Sequence, residues 1–163
     1  MDKPDITSPD ILATVPTDGN CINNPNDHFC GSARLVAAQH HEVGVIEVYC
    51  KEGTTDYFVK YYFTSDGCHI TELHLYAGPE ENIPKTKMGC PKVGHFPYKV
   101  EDSKITEICI DIGPQEETFV VAAHAVVVCD GDPFAGEETA WSRGKTFPGC
   151  NNWSMCFDID CKK

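Results

Sequence analysis

Two histidines stand where a side chain could move a proton or hold a metal. Segment 71–76 reads Thr-Glu-Leu-His-Leu-Tyr, with Glu72 and His74 two residues apart. Segment 120–129 reads Val-Val-Ala-Ala-His-Ala-Val-Val-Val-Cys and sets His124 in an apolar run. Residues i and i+2 of a strand share a face. Ile70, Glu72, His74 and Tyr76 are therefore expected on one face, with Leu73 and Leu75 on the other. If the two strands pair, Glu72, His74 and His124 converge. Two imidazoles and a carboxylate match the donors of a catalytic zinc or a non-haem iron. The simpler expectation is a structural polar core of Glu72, His74 and His124 that binds no transition metal. Each buried ring nitrogen then needs an internal partner, because an unpaired buried polar group costs about 1–3 kcal/mol. Glu72 or a backbone carbonyl from the Pro-rich loop at 82–98 is the expected partner, which would make the histidines pins between sheet and loop.

Other candidates are weaker. His40 and His41 are neighbours, so they diverge on a strand or a helix and read as surface residues. The segment 129–138, Cys-Asp-Gly-Asp-Pro-Phe-Ala-Gly-Glu-Glu, has the composition of a calcium loop. Its donors would be Asp130, Asp132, Glu137 and Glu138, and calcium takes six to eight oxygens at about 2.3–2.6 Å. The EF-hand pattern is incomplete, and a solvated acidic turn is the simpler reading. Apart from the metal-enzyme alternative at Glu72, His74 and His124, calcium at these four carboxylates is the cofactor the sequence suggests. No Gly-x-Ser-x-Gly elbow, phosphate loop or dinucleotide fingerprint is present, and no enzyme is expected. Tyr57, Tyr61, Tyr62, Trp141 and Trp153 have the right chemistry to stack on sugars, although core burial is expected to claim most of them.

These residues depend on elements with a two-residue period. Segments 43–50, 57–64, 68–78, 103–112 and 117–129 alternate and are rich in β-branched and aromatic residues, as strands are. The 117–129 strand is apolar enough to sit centrally in a sheet, and 154–161 closes the chain with a short strand. The sole helix candidate is 32–42. Segment 78–99 carries four prolines and three glycines, so it reads as an ordered loop with Phe96 and Tyr98 packed. Segment 130–153 reads as turn-rich. Residues 1–30 read as an arm or loop and 31–163 as one domain. The fold expected is an all-β antiparallel β-sandwich.

Composition narrows the function. The 163 residues carry 25 acidic against 13 basic side chains, a net charge of −12. No Lys/Arg cluster is available to neutralise phosphates, which argues against nucleic acid as a partner. No apolar run reaches the ~18 residues of a membrane span. The polar N-terminus lacks an apolar signal segment and reads as the start of a mature secreted chain with an initiator Met. The ten cysteines are Cys21, Cys30, Cys50, Cys68, Cys90, Cys109, Cys129, Cys150, Cys156 and Cys161. None has metal-type spacing, so the even count predicts five disulfides in an oxidising compartment, with Cys21–Cys30 as a local bridge. Asn152 heads an Asn-Trp-Ser sequon, as befits a glycoprotein.

Longer stretches carry a resemblance. Ala-Ala-Gln-His-His-Glu-Val-Gly at 37–44, Asp-Gly-Cys-His-Ile-Thr-Glu-Leu-His-Leu-Tyr-Ala-Gly at 66–78, Ile-Pro at 83–84, Phe-Pro-Tyr-Lys at 96–99, Ala-Ala-His-Ala at 122–125 and Glu-Thr-Ala-Trp at 138–141 occur in that order. Together they resemble an extracellular β-sandwich module attached to secreted and cell-surface proteins, over roughly residues 37–157. That module has no assigned activity, so the resemblance implies fold and location. Cys68 and Cys90 replace the module's usual Trp and Asn, which suggests an added Cys68–Cys90 bridge. The function expected is a secreted, disulfide-rich binding module that contacts a glycan, a protein partner or an extracellular matrix or mineral surface. The alternatives are a secreted signal, defence factor or toxin, and a metal-dependent enzyme using Glu72, His74 and His124.

Overall fold

The computed structural model describes residues 24–101 and 103–162. Strands take up 59% of the described residues and helix 4%. The order is β1 (His28–Ala37), β2 (His41–Cys50), β3 (Asp56–Phe63), β4 (Cys68–Gly78), two single-turn 3-10 helices (Glu80–Asn82 and Val93–His95), β5 (Tyr98–Val100), β6 (Glu107–Pro114), β7 (Thr118–Asp130), β8 (Ala135–Ser142), β9 (Lys145–Thr146) and β10 (Met155–Asp160).

All pairings are antiparallel. β7 is the centre, as its apolar run predicts. One edge pairs with β4 along its length, from Cys68 opposite Cys129 to Gly78 opposite Val120. Its other edge is shared, with β10 pairing at Thr118–Val121 and β8 from His124 onward. β8 then passes to β1 through Ala140–Ser142, and β1, β2, β3 and β6 follow as neighbours. Just before β6, Ile105 exchanges two backbone hydrogen bonds with Ile70 of β4, at 2.7 and 2.9 Å. The chain is all-β with disulfides, as expected. In place of a sandwich's two separate sheets, however, it forms one sheet nearly closed into a barrel. β8 is the cause, because it hydrogen-bonds to both halves. It falls within 130–153, which the turn residues had marked as irregular.

Two apolar clusters form. The barrel interior holds Leu35, Ile46, Val59, Tyr61, Leu73, Leu75, Ile110 and Val127, with others of the same strand faces. Each large aliphatic side chain buried there contributes about 1.5–3 kcal/mol. The second cluster lies outside the β4–β7–β8 wall and contains Tyr76, Ala122 and Trp141 from the strands, with Ile83, Phe96 and Phe147 from the loops. The Pro-rich loop is thus ordered, with Phe96 buried and Tyr98 half-buried, as expected.

The expected helix at 32–42 is instead the hairpin of β1 and β2. His40 N–H donates to the Ala37 carbonyl across Ala38 and Gln39, which have φ of 51° and 69°. Two positive φ values define a type I′ turn, whose twist suits a hairpin, and Ala38 accepts that conformation without being glycine. β1 also begins at His28, inside the stretch read as an arm.

The cysteines depart most from expectation. Three disulfides join described residues: Cys30–Cys161, Cys68–Cys129 and Cys90–Cys150. Cys109 is also disulfide-bonded, and Cys21 lies outside the described residues. Neither Cys21–Cys30 nor Cys68–Cys90 forms, because Cys30 and Cys68 are claimed by Cys161 and Cys129. The expectation of five bridges fails as well. Cys50 and Cys156 are buried thiols. Cys50 belongs to the barrel interior and Cys156 to the outer cluster, so the β-wall keeps them apart.

Candidate functional site

The wall formed by β4, β7 and β8 carries the histidines. Val126 opposes Glu72 and Val127 opposes Ile70, so Thr71 is an extra residue and forms a bulge. This corrects one expectation. Ile70 turns into the barrel with Leu73 and Leu75, while Glu72, His74 and Tyr76 keep the outer face. A bulge shifts the alternation by one residue, which the sequence pattern alone did not reveal.

His74 and His124 are cross-strand partners with ring centroids 5.5 Å apart. Both are buried, at 3% and 7% exposure. His124 meets the Trp141 ring edge-on at 4.9 Å. The Nε2 of His74 lies 2.7 Å from a carboxylate oxygen of Glu72, which accepts the N–H. Glu72, His74 and His124 therefore do come together. One expected partner, Glu72, is in place, but the loop carbonyl is not. The Nδ1 atoms of both His74 and His124 are buried and have no hydrogen-bond partner among the described residues. Burial pushes the His124 imidazole down to about 4, helped by His74 and opposed by Glu72. A further carboxylate joins the group. Glu101, just past β5, brings an oxygen within 4.8 Å of donor atoms of Glu72 and His74.

The opposite wall, formed by β1, β2, β3 and β6, faces outward with three cross-strand rows. One is Phe29–Tyr49–Phe58–Asp111, the next Ser32–Glu47–Lys60–Cys109, and the third Arg34–Val45–Tyr62–Glu107. Phe29 is 50% exposed and meets Tyr49 edge-on at 5.5 Å, and Tyr49 stacks on Phe58 at 5.2 Å. Glu47 accepts hydrogen bonds from both phenols, 2.9 Å from Tyr49 and 3.0 Å from Tyr62. Burial and the Glu47 carboxylate push the Tyr49 phenol up to about 12, and they raise Tyr62 as well. The Lys60 ammonium lies over the Tyr62 ring, 5.2 Å from its centroid. Phe29, Tyr49, Phe58 and Tyr62 belong to neither apolar cluster.

Of the five aromatics picked out in the sequence, only Tyr62 lies on this wall. Tyr57 and Tyr61 point into the barrel, and Trp141 and Trp153 join the outer cluster on the other wall. Phe29, Tyr49 and Phe58 were missed. The available signal was Lys60, since an ammonium marks the solvent face and Phe58 and Tyr62 share it.

The remaining candidates disperse. Glu137 and Glu138 are consecutive in β8, opposite Val128 and Val127, so their side chains diverge. Asp130 ends β7 and Asp132 lies in the following turn. No three of these four carboxylates bring donor atoms within 4.8 Å of one another. His40 is exposed, and His41 packs against the Phe134 ring at 5.6 Å. Asn152 is exposed, and its side-chain oxygen accepts from the Ser154 N–H at 2.9 Å and from the Ser154 hydroxyl.

No family model, curated protein or solved structure matches this chain. The reading of its function therefore rests on its own geometry.

Proposed function

We propose that this chain is a secreted recognition module that binds a glycan on the outer wall of β1, β2, β3 and β6. The observation that carries this reading is the pair Phe29–Tyr49, backed by the buried Phe58, beside a carboxylate held by two phenols. Sugar rings present C–H faces that stack on aromatic rings, and their hydroxyls bond to carboxylates, ammonium groups and phenols. Glu47 has both oxygens engaged by Tyr49 and Tyr62, which holds the two rings in fixed orientations and limits the ordering cost of binding. An outward strand face suits an extended saccharide better than a small molecule, which needs a concave site.

Secretion is supported by the three disulfides and by the exposed sequon at Asn152. Among the described residues no helix is long and apolar enough to cross a membrane. An acidic surface also suits a neutral or cationic glycan better than a sulfated one.

The test is a glycan array with the intact protein, followed by calorimetry on the best ligand. Tyr49→Ala and Phe29→Ala are expected to weaken binding at least tenfold, each losing a stacking contact of about 1.4 kcal/mol or more. Binding that survives both substitutions, or no bound glycan at all, refutes the reading.

A further inference from the structure

Cys109 carries a disulfide on the open wall, and the cysteine count names its partner. We infer that Cys109 is bridged to Cys21 and that this bond straps the chain before Asn24 across the β3–β6 half of the wall. Of the ten cysteines, six form the bridges Cys30–Cys161, Cys68–Cys129 and Cys90–Cys150. Cys50 and Cys156 are thiols. Within one chain this leaves Cys21 alone for Cys109. Forming the bond takes two protons and two electrons from the two thiols, by exchange with an external disulfide that departs as two thiols.

The position of Cys109 carries the strap onto the wall. Ile108 and Ile110 point into the barrel, so Cys109 between them faces outward. Asn24 fixes the other end at the rim. Its side-chain amide donates to Glu52 at 3.3 Å, and the Glu52 backbone N–H donates to Asp27 at 2.9 Å. Glu52 lies in the turn between β2 and β3. From Asn24 back to Cys21 an extended chain covers about 10–11 Å, and the three described bridges hold their Cα atoms 4.1–4.8 Å apart. Cys109 pairs with Lys60, four residues along β3 from Asp56, which is about 13 Å from that rim at the rise of a strand. Only a nearly extended path spans this distance, and it crosses the Phe58–Asp111 pair. A second observation agrees. Phe58 faces outward beside the exposed Asp111, yet it is 8% exposed, whereas Phe29 at the far end of the same row is 50% exposed. Tyr49 stacks on Phe58, and the strap covers the ring on the Asp111 side. Phe29 and Tyr49 stay open, so the strap borders the proposed glycan face without closing it.

The bond is tested on the full chain, denatured without reductant, alkylated, digested and mapped by mass spectrometry. A linked peptide pair carrying Cys21 and Cys109 is expected, with Cys50 and Cys156 as the sole alkylated cysteines. Alkylation of Cys21 or Cys109 at this stage overturns the bridge. So does a link from Cys109 to a second chain, seen as a dimer on a non-reducing gel. The strap is tested on the folded protein with Cys21→Ser and Cys109→Ser, which should both keep the native circular dichroism spectrum. Cleavage before Asn24 by a low-specificity protease should be about tenfold faster in each variant, because the released segment no longer has to open first. Cleavage at the native rate in both variants overturns the strap. Neither measurement uses a glycan, so failure here is distinct from failure of the binding reading.

Discussion

The two outer walls of this barrel are built alike and finished differently. On the β4–β7–β8 wall, Tyr76, Ala122 and Trp141 lie beneath Ile83, Phe96 and Phe147, and the Cys90–Cys150 disulfide ties the two covering loops together. On the β1–β2–β3–β6 wall, a comparable set of aromatics belongs to neither apolar cluster. The first wall invests its aromatic area in stability, and the polar groups it buries become costly and specific. Among the described residues, the second buries Phe58 but leaves Phe29, Tyr49 and Tyr62 partly in water, where they add less to folding and stay open to contact. An aromatic side chain on a strand thus says little about its role until the layer above it is known.

The largest expected contrast is in truncation. Trp141→Ala should destabilise the protein by about 3–5 kcal/mol, as large buried aromatics do, whereas Phe29→Ala should stay within about 1 kcal/mol. Urea unfolding of both variants measures this, and equal costs would erase the distinction between the walls.

Acid should also separate them. The His124 pKa is depressed to about 4 from an ordinary 6.5, so the unfolded chain takes up the proton first. The stability this neutral imidazole contributes is complete above pH 6.5 and is lost as pH falls toward 4, by roughly 3 kcal/mol at most. Unfolding free energies between pH 4 and 7, with His124→Phe as control, check the slope, which the control should largely remove. The open wall titrates at the other extreme. Tyr49 is raised to about 12, so its contribution is intact below pH 10 and is lost as pH rises toward 12, visible by phenolate absorbance.

Between the walls, the barrel interior holds a smaller test. The Tyr61 hydroxyl is buried without a partner among the described residues, and burial raises its pKa well above the usual value. Tyr61→Phe should stabilise by about 1 kcal/mol, because it removes an unsatisfied group without opening a cavity. A loss of stability in denaturant melts would show that the hydroxyl has a role on the native protein. The smallest effect is expected at the β1–β2 turn, where Ala38→Gly relieves a left-handed alanine and should gain about 0.5–1 kcal/mol, read as a shift of the thermal midpoint.

Much of the fold could be read from the period-two segments. β2, β3, β4, β7 and β10 fall within a few residues of the alternating runs, because their inward faces are continuous and apolar. β8 escaped, since most of Ala-Gly-Glu-Glu-Thr is exposed and only Ala140, Trp141 and Ser142 reach the buried layer. The hairpin at 37–41 escaped because its turn uses Ala and Gln where Asn-Gly would have announced it. At the site, the meeting of Glu72, His74 and His124 followed from simple alternation. Glu101 could not be anticipated, because it arrives through the three-residue strand β5, too short to leave a pattern. Cysteine pairing was unreadable for the same reason the barrel was: both depend on which distant strands become neighbours.

The Cys30–Cys161 bridge, whose ends are 131 positions apart in sequence, has a mechanical consequence. Tension applied before Cys30 and after Cys161 passes through one covalent crosslink and bypasses every strand in between. At roughly 3.3–3.6 Å per residue, some 450 Å of chain cannot pay out while that bond holds. A chain tethered at both flanks would pull taut as an inextensible link with its folded barrel hanging unloaded beside the line of force, and only a reductant would let it lengthen.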